Sequence, residues 1–73
     1  MTITEIESKV MEIVSKEMGL DPSEVNDDTN TSAHTDNLVM KYEEEFDVII
    51  PEDDQNFQTI GEAVTCIDSL MNG

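Results

Sequence analysis

Leu38-Val39-Met40-Lys41-Tyr42-Glu43-Glu44-Glu45-Phe46-Asp47-Val48-Ile49-Ile50-Pro51, residues 38–51, holds the pattern on which the fold turns. Leu38, Val39, Tyr42 and Phe46 recur at steps of one, three and four and form one apolar stripe, while Lys41, Glu43, Glu44 and Glu45 fall toward water. This predicts a helix from about Ser32 to Phe46 with a polar first turn. Asp47 to Pro51 has the composition of a short strand, but the residue before a proline is biased to an extended conformation and away from helix. Beside a helix, the stretch reads better as a connector that anchors Ile50 in the core.

Working toward the N-terminus, Ile3, Ile6, Val10, Ile13, Val14 and Met18 share one helical face. Thr4 and Glu7 have the spacing of a capping box, Glu5 to Lys9 and Glu12 to Lys16 are favourable i,i+4 pairs, and Gly19 is placed to stop the helix. Leu20 is expected to tuck back onto the core. Asp21-Pro22-Ser23-Glu24 reads as a cap and one short turn, Val25 as an apolar anchor, and Asn26 to Thr31 as a polar loop. Toward the C-terminus, Thr59 and Glu62 cap a last helix whose Ile60, Ala63, Val64, Ile67, Leu70 and Met71 recur at helical spacing. Cys66 flanks that stripe as half-buried packing. Pattern alone therefore gives an all-helical bundle with a long polar loop between its first two major helices.

Length and charge bound the function. The 73 residues, 37% hydrophobic, provide for one compact domain over residues 1–73, expected to be a monomer, which favours a carrier, binding module or regulatory domain over an enzyme with its own cleft. Eighteen acidic residues against three lysines and no arginine give a formal net charge of -15. Nucleic acid and anionic membranes are poor partners for such a chain, with no nucleic-acid binding and no membrane insertion expected, whereas a basic protein surface is steered toward it; solubility alone is the competing explanation. One cysteine cannot form an internal disulfide, the N-terminus is not a secretory leader, and no run suits a bilayer, so a cytoplasmic protein is expected.

Residues 38–51 resemble the second helix of the acyl carrier protein family and the exit from it. The resemblance continues through the first helix to Gly19-Leu20, through Ser23-Glu24-Val25, and through Thr59-Ile60-Gly61-Glu62-Ala63-Val64 at the start of the fourth helix, so that it covers nearly the whole chain. It implies an all-α fold, a small four-helix bundle with three major helices and one short one. It also implies a serine at the start of helix two bearing 4'-phosphopantetheine, whose thiol holds an acyl group. Such a protein is a carrier without catalytic residues. Its partners would be a phosphopantetheinyl transferase and the basic surfaces of acyl-processing enzymes in fatty acid, lipid or polyketide-type biosynthesis.

Counting back from Leu38-Val39-Met40 without a gap puts Ser32 at the family's attachment serine, flanked by Thr31 and Ala33 in place of the usual Asp-Ser-Leu. The preceding loop is several residues shorter than is usual. His34 and Asn37 stand where the transferase meets carboxylates in the family. Ser32 is thus the candidate attachment residue, with a plain helix N-cap as the competing role. Glu43, Glu44 and Met40 are the candidate docking residues, the glutamates being otherwise a solvated face and Met40 a core or acyl-cavity position.

Other chemistry in the chain is poorly formed. Asp68-Ser69-Leu70 matches the attachment motif literally but lies in the last turns of the terminal helix. His34 has no oriented acid beside it for catalysis with Ser32. Asp28, Asn30 and Ser32 imitate the first ligands of a calcium loop, but Ala33 replaces the required glycine and Val39 the closing glutamate, so no metal is expected. Two functions fit: a carrier of thioester-bound acyl groups, or an unmodified carrier-like interaction module.

Overall fold

The computed structural model describes residues 1–72. Its order is α1 (Ile3–Met18), a 3-10 turn at Pro22–Glu24, a second at Ser32–His34, α2 (Thr35–Phe46), a third at Glu52–Asp54, and α3 (Ile60–Asn72). The described residues contain no strand beyond an isolated antiparallel bridge between Asn30 and Thr59. α1 packs against both α3 and α2. The short helix of the expected bundle is reduced to the single turn at Glu52–Asp54.

α1 starts two residues earlier than the Thr4–Glu7 spacing indicated. The box is built by Thr2 and Glu5: Thr2 Oγ1 accepts from the Glu5 N–H at 3.2 Å, and Glu5 Oε1 accepts from the Thr2 N–H at 3.0 Å. Glu7 is drawn instead to Asp27, and contact between the two carboxyls raises the Glu7 pKa above its usual value. Ile6, Val10 and Val14 are fully buried, whereas Ile3 is half exposed and lies outside the core. Lys16 pairs with Glu12 as expected, but Lys9 reaches across to Glu45 on α2 at 3.4 Å rather than to Glu5. Gly19 adopts the left-handed conformation at φ 68°, its N–H donating to the Ser15 carbonyl, and Leu20 turns back against the core.

The polar loop is a tie. Its carbonyls satisfy the first N–H groups of α3, which a helix leaves unpartnered: Ile60 N donates to Thr29 O at 3.2 Å and Gly61 N to Asp27 O at 3.0 Å. Glu62 N is taken by Thr59 Oγ1, as the capping spacing predicted. A Cβ at position 61 would sit 3.3 Å from the Asp27 carbonyl oxygen, so glycine is what lets the loop come this close.

α2 begins at Thr35 rather than Ser32. Thr35 Oγ1 donates to the carbonyls of Ser32, at 3.1 Å, and Thr31, at 3.4 Å, competing with the backbone for them, and residues 32–34 wind as a tighter turn closed by His34 N to Thr31 O. Leu38, Val39, Tyr42 and Phe46 are buried as the stripe required. Asp47 ends the helix in the left-handed region at φ 52°. Glu43 Oε2 then accepts from the Ile50 N–H at 2.8 Å, which seats Ile50 in the core while Ile49 stays exposed. Tyr42 and Phe57 pack with their rings tilted by 51° and 5.8 Å between centroids, linking α2 to the segment before α3. On α3, Ile60, Ala63, Val64 and Ile67 are buried, Met71 is partly so, and Leu70 faces outward.

Candidate functional site

Ser32 sits at the tip of the tie. The preceding residue, Thr31, is fully buried, and its N–H donates to the Gln58 carbonyl at 2.7 Å, which fixes the backbone just before the serine. Ser32 itself is exposed. Its N–H and its hydroxyl both donate to Asn30 Oδ1, at 2.9 and 2.6 Å. The hydroxyl therefore does not cap α2, and the plain N-cap role does not hold. No side chain caps the start of α2, and in the turn before it the Ser32 N–H is taken by Asn30 Oδ1 and the His34 N–H by the Thr31 carbonyl, so what this end offers an anionic group is the positive end of the helix dipole.

Around Ser32 lies a shallow hollow of about 250 Å³ lined by residues 32–37. Its lining holds no lysine or arginine, and Asp36 adds a carboxylate to the first turn of α2. The exposed hydroxyl and uncapped helix start fit a phosphodiester; the local charge does not assist it. His34 is half-buried, with no carboxylate bonded to it among the described residues. Asn30 Oδ1, the middle oxygen of the calcium-like series, is taken up by Ser32, and no group of three or more His, Cys, Asp or Glu among the described residues is arranged to hold a metal. Ser69 of the literal Asp68-Ser69-Leu70 lies on the outer face of α3, one turn from its end.

The three docking candidates separate. Glu44 is exposed and makes no ion pair among the described residues. Met40 is 61% exposed, so it is neither core nor the wall of an interior cavity. Glu43 is half-buried and spends one carboxylate oxygen on Ile50, which makes it first a latch for the connector. Sequence reading missed this role, although a glutamate seven residues before a core isoleucine was visible. It also missed Asn30 and Thr31, which position Ser32; the only local signal was an Asx-type spacing from Asn30 to Ser32.

Cys66 is half-buried beside the core, its Sγ 3.7 Å from the Asp54 carbonyl oxygen, and burial together with the Asp54 charge pushes its thiol pKa up. A raised pKa makes it a poor nucleophile. No helix of the described residues is long and apolar enough to cross a membrane.

No protein-family model matches the chain. Among curated proteins it is 35% identical to an acyl carrier protein of Lactobacillus johnsonii, over an alignment of 80 positions that covers 99% of this chain and all of that one. It is 34% identical over 77 positions to an acyl carrier protein of Porphyromonas gingivalis, covering 94% of this chain and 99% of that one. Both alignments are longer than the 73-residue chain, since each relative has residues this chain lacks.

Proposed function

The chain belongs to the acyl carrier protein family, and on that premise we propose that Ser32 carries 4'-phosphopantetheine and that the protein presents acyl groups to enzymes of fatty acid, lipid or polyketide-type biosynthesis. The observation that carries this reading is the exposed Ser32 hydroxyl, held on a fixed backbone one turn ahead of an uncapped helix. When bound, the group supplies a thiol on which acyl cargo is held as a thioester.

The chain's own part is presentation. Thr31, tied to Gln58, keeps the serine at the end of the bundle, and Asn30 Oδ1 orients its hydroxyl by accepting its hydrogen. The positive end of the α2 dipole favours the phosphodiester once it is formed. Glu44 and Met40 stand exposed on α2 for a basic, partly apolar partner surface, with Glu43 adding charge from its latched position. The proposed partners are a phosphopantetheinyl transferase and acyl-processing enzymes, and a cytoplasmic setting goes with them.

A second reading, an unmodified carrier-like interaction module, is favoured by the hydroxyl's short bond to Asn30 and by the lack of a cation near it. Co-expression with a phosphopantetheinyl transferase followed by intact-mass measurement separates the two. Under the carrier reading the mass rises by one phosphopantetheine and Ser32→Ala abolishes the rise. An unchanged mass with several transferases supports the module.

A further inference from the structure

The bond that orients the Ser32 hydroxyl also withholds its hydrogen. Asn30 Oδ1 accepts from the Ser32 N–H at 2.9 Å and from Ser32 Oγ at 2.6 Å. A backbone N–H can only donate, so it is the amide oxygen of Asn30 that faces the serine, and the hydroxyl must donate to it as well. Asn30 is itself held in place. Its backbone bridges to Thr59, and on either side Thr29 O accepts from the Ile60 N–H at 3.2 Å and the Thr31 N–H donates to Gln58 O at 2.7 Å. An exposed serine ordinarily turns among its staggered rotamers, whereas this one is pinned by a carboxamide built on a fixed backbone.

Attachment of phosphopantetheine needs that hydrogen to leave. With coenzyme A as donor, Ser32 Oγ bonds to the phosphorus that bears pantetheine and the link from that phosphorus to the second phosphate breaks. Adenosine 3',5'-bisphosphate departs with the electron pair, and the hydroxyl proton passes to a base. Asn30 is not that base, since an amide oxygen accepts a hydrogen bond but does not take up a proton near neutral pH. His34 and Asp36, the titratable groups lining the same hollow, are not bonded to the hydroxyl. The base therefore comes from outside this chain, on the transferase. A hydroxyl has one hydrogen, which cannot point at Asn30 and at that base together. On the premise that Ser32 is the attachment residue, we propose that Asn30 is a latch on it. The modifying enzyme has to turn the hydroxyl away from Asn30 Oδ1 before the proton is removed, and Asn30 thereby sets the rate of loading.

The test is single-turnover loading of the full chain, with a phosphopantetheinyl transferase in excess and coenzyme A saturating, followed by intact mass. Asn30→Ala should load about three- to tenfold faster than the unsubstituted protein, the net worth of one hydrogen bond expressed as a rate, with the transferase concentration for half-maximal rate unchanged. Asn30→Asp, which keeps the acceptor and strengthens it with a charge, should load no faster than the unsubstituted protein. Asn26→Ala removes a similar bond in the same loop, from the Asp28 N–H at 2.8 Å, and should leave the rate unchanged. Amide hydrogen exchange on the unloaded proteins is the second readout: in Asn30→Ala the Ser32 amide should exchange faster while Ile60 and Gly61 keep their protection. Asn30→Leu, close to asparagine in shape, repeats both measurements if the alanine variant loses protection at Ile60 and Gly61. The latch is overturned by equal or slower loading of Asn30→Ala, by a gain matched in Asn26→Ala or Asn30→Asp, or by Ser32 exchange that ignores the substitution. In those cases the unsubstituted protein still loads and attachment at Ser32 stands. If no variant loads with several transferases, attachment itself fails and the latch with it. An unsubstituted protein that stays unloaded while Asn30→Ala loads at Ser32 supports the latch.

Discussion

Tyr42→Phe should stabilise this protein. Tyr42 is 0% exposed, and its hydroxyl has no hydrogen-bond partner. Burial alone drives its ionisation well above the ordinary value for a phenol. A buried hydroxyl without a partner costs about 1–3 kcal/mol. Removing the oxygen leaves a void of roughly 15 Å³, which at about 24 cal/mol per Å³ returns only about 0.4 kcal/mol of penalty. The ring packed against Phe57 is unchanged by the substitution. The net gain is therefore about 0.6–2.6 kcal/mol, and for a domain of this size each kcal/mol moves Tm by about 4–8 °C. Thermal unfolding followed by far-ultraviolet circular dichroism should show a rise of at least about 2 °C, and urea titration a higher midpoint at constant m-value. Thr31→Val, which removes the other buried hydroxyl without a partner, should move in the same direction. A fall in Tm for Tyr42→Phe would refute the reasoning, because it would mean the phenol is satisfied in solution.

Three further outcomes follow from the same structure. Contact with Asp27 raises the Glu7 pKa from 4.5, so the folded state holds this proton more tightly than the unfolded chain, and stability is lost as pH rises through the folded pKa. Glu7→Gln should accordingly raise Tm at pH 7 by more than Glu44→Gln does, with the advantage vanishing below about pH 4; a constant offset across the pH range would contradict it. Asp47→Gly relieves a left-handed residue at φ 52°, a conformation costing about 1–2 kcal/mol in general, against about 0.5–1 kcal/mol for glycine's extra chain entropy. Chemical denaturation should show a small gain of about 0.5 kcal/mol, and a loss would count against strain at that position. Finally, a formal charge of -15 on so small a core repels itself, so Tm should climb with sodium chloride over the range in which the Debye length shrinks from about 30 to about 8 Å. Insensitivity to salt would show that the charges are too far apart to matter.

Periodicity determined most of the fold, because a stripe such as Leu38, Val39, Tyr42 and Phe46 leaves one arrangement in which its apolar side chains escape water, and that arrangement is what is observed. Gly19 and the Thr59–Glu62 cap were equally legible, since both depend on residues close together in the chain. The box at α1 was misplaced because Thr2–Glu5 and Thr4–Glu7 have the same spacing, and only the approach of Asp27 to Glu7 decides between them. The start of α2 was misplaced for a related reason: Thr35 competes with the backbone for two carbonyls, which periodicity does not register. At the candidate site, counting along the chain supplied Ser32 and nothing more. Its bond to Asn30 is local, but that its backbone is held in place through Gln58 was decided by contacts between residues 27 or more apart, where the loop closes over the first N–H groups of α3. Those N–H groups had to find acceptors somewhere, but which carbonyls met them was a matter of tertiary packing alone.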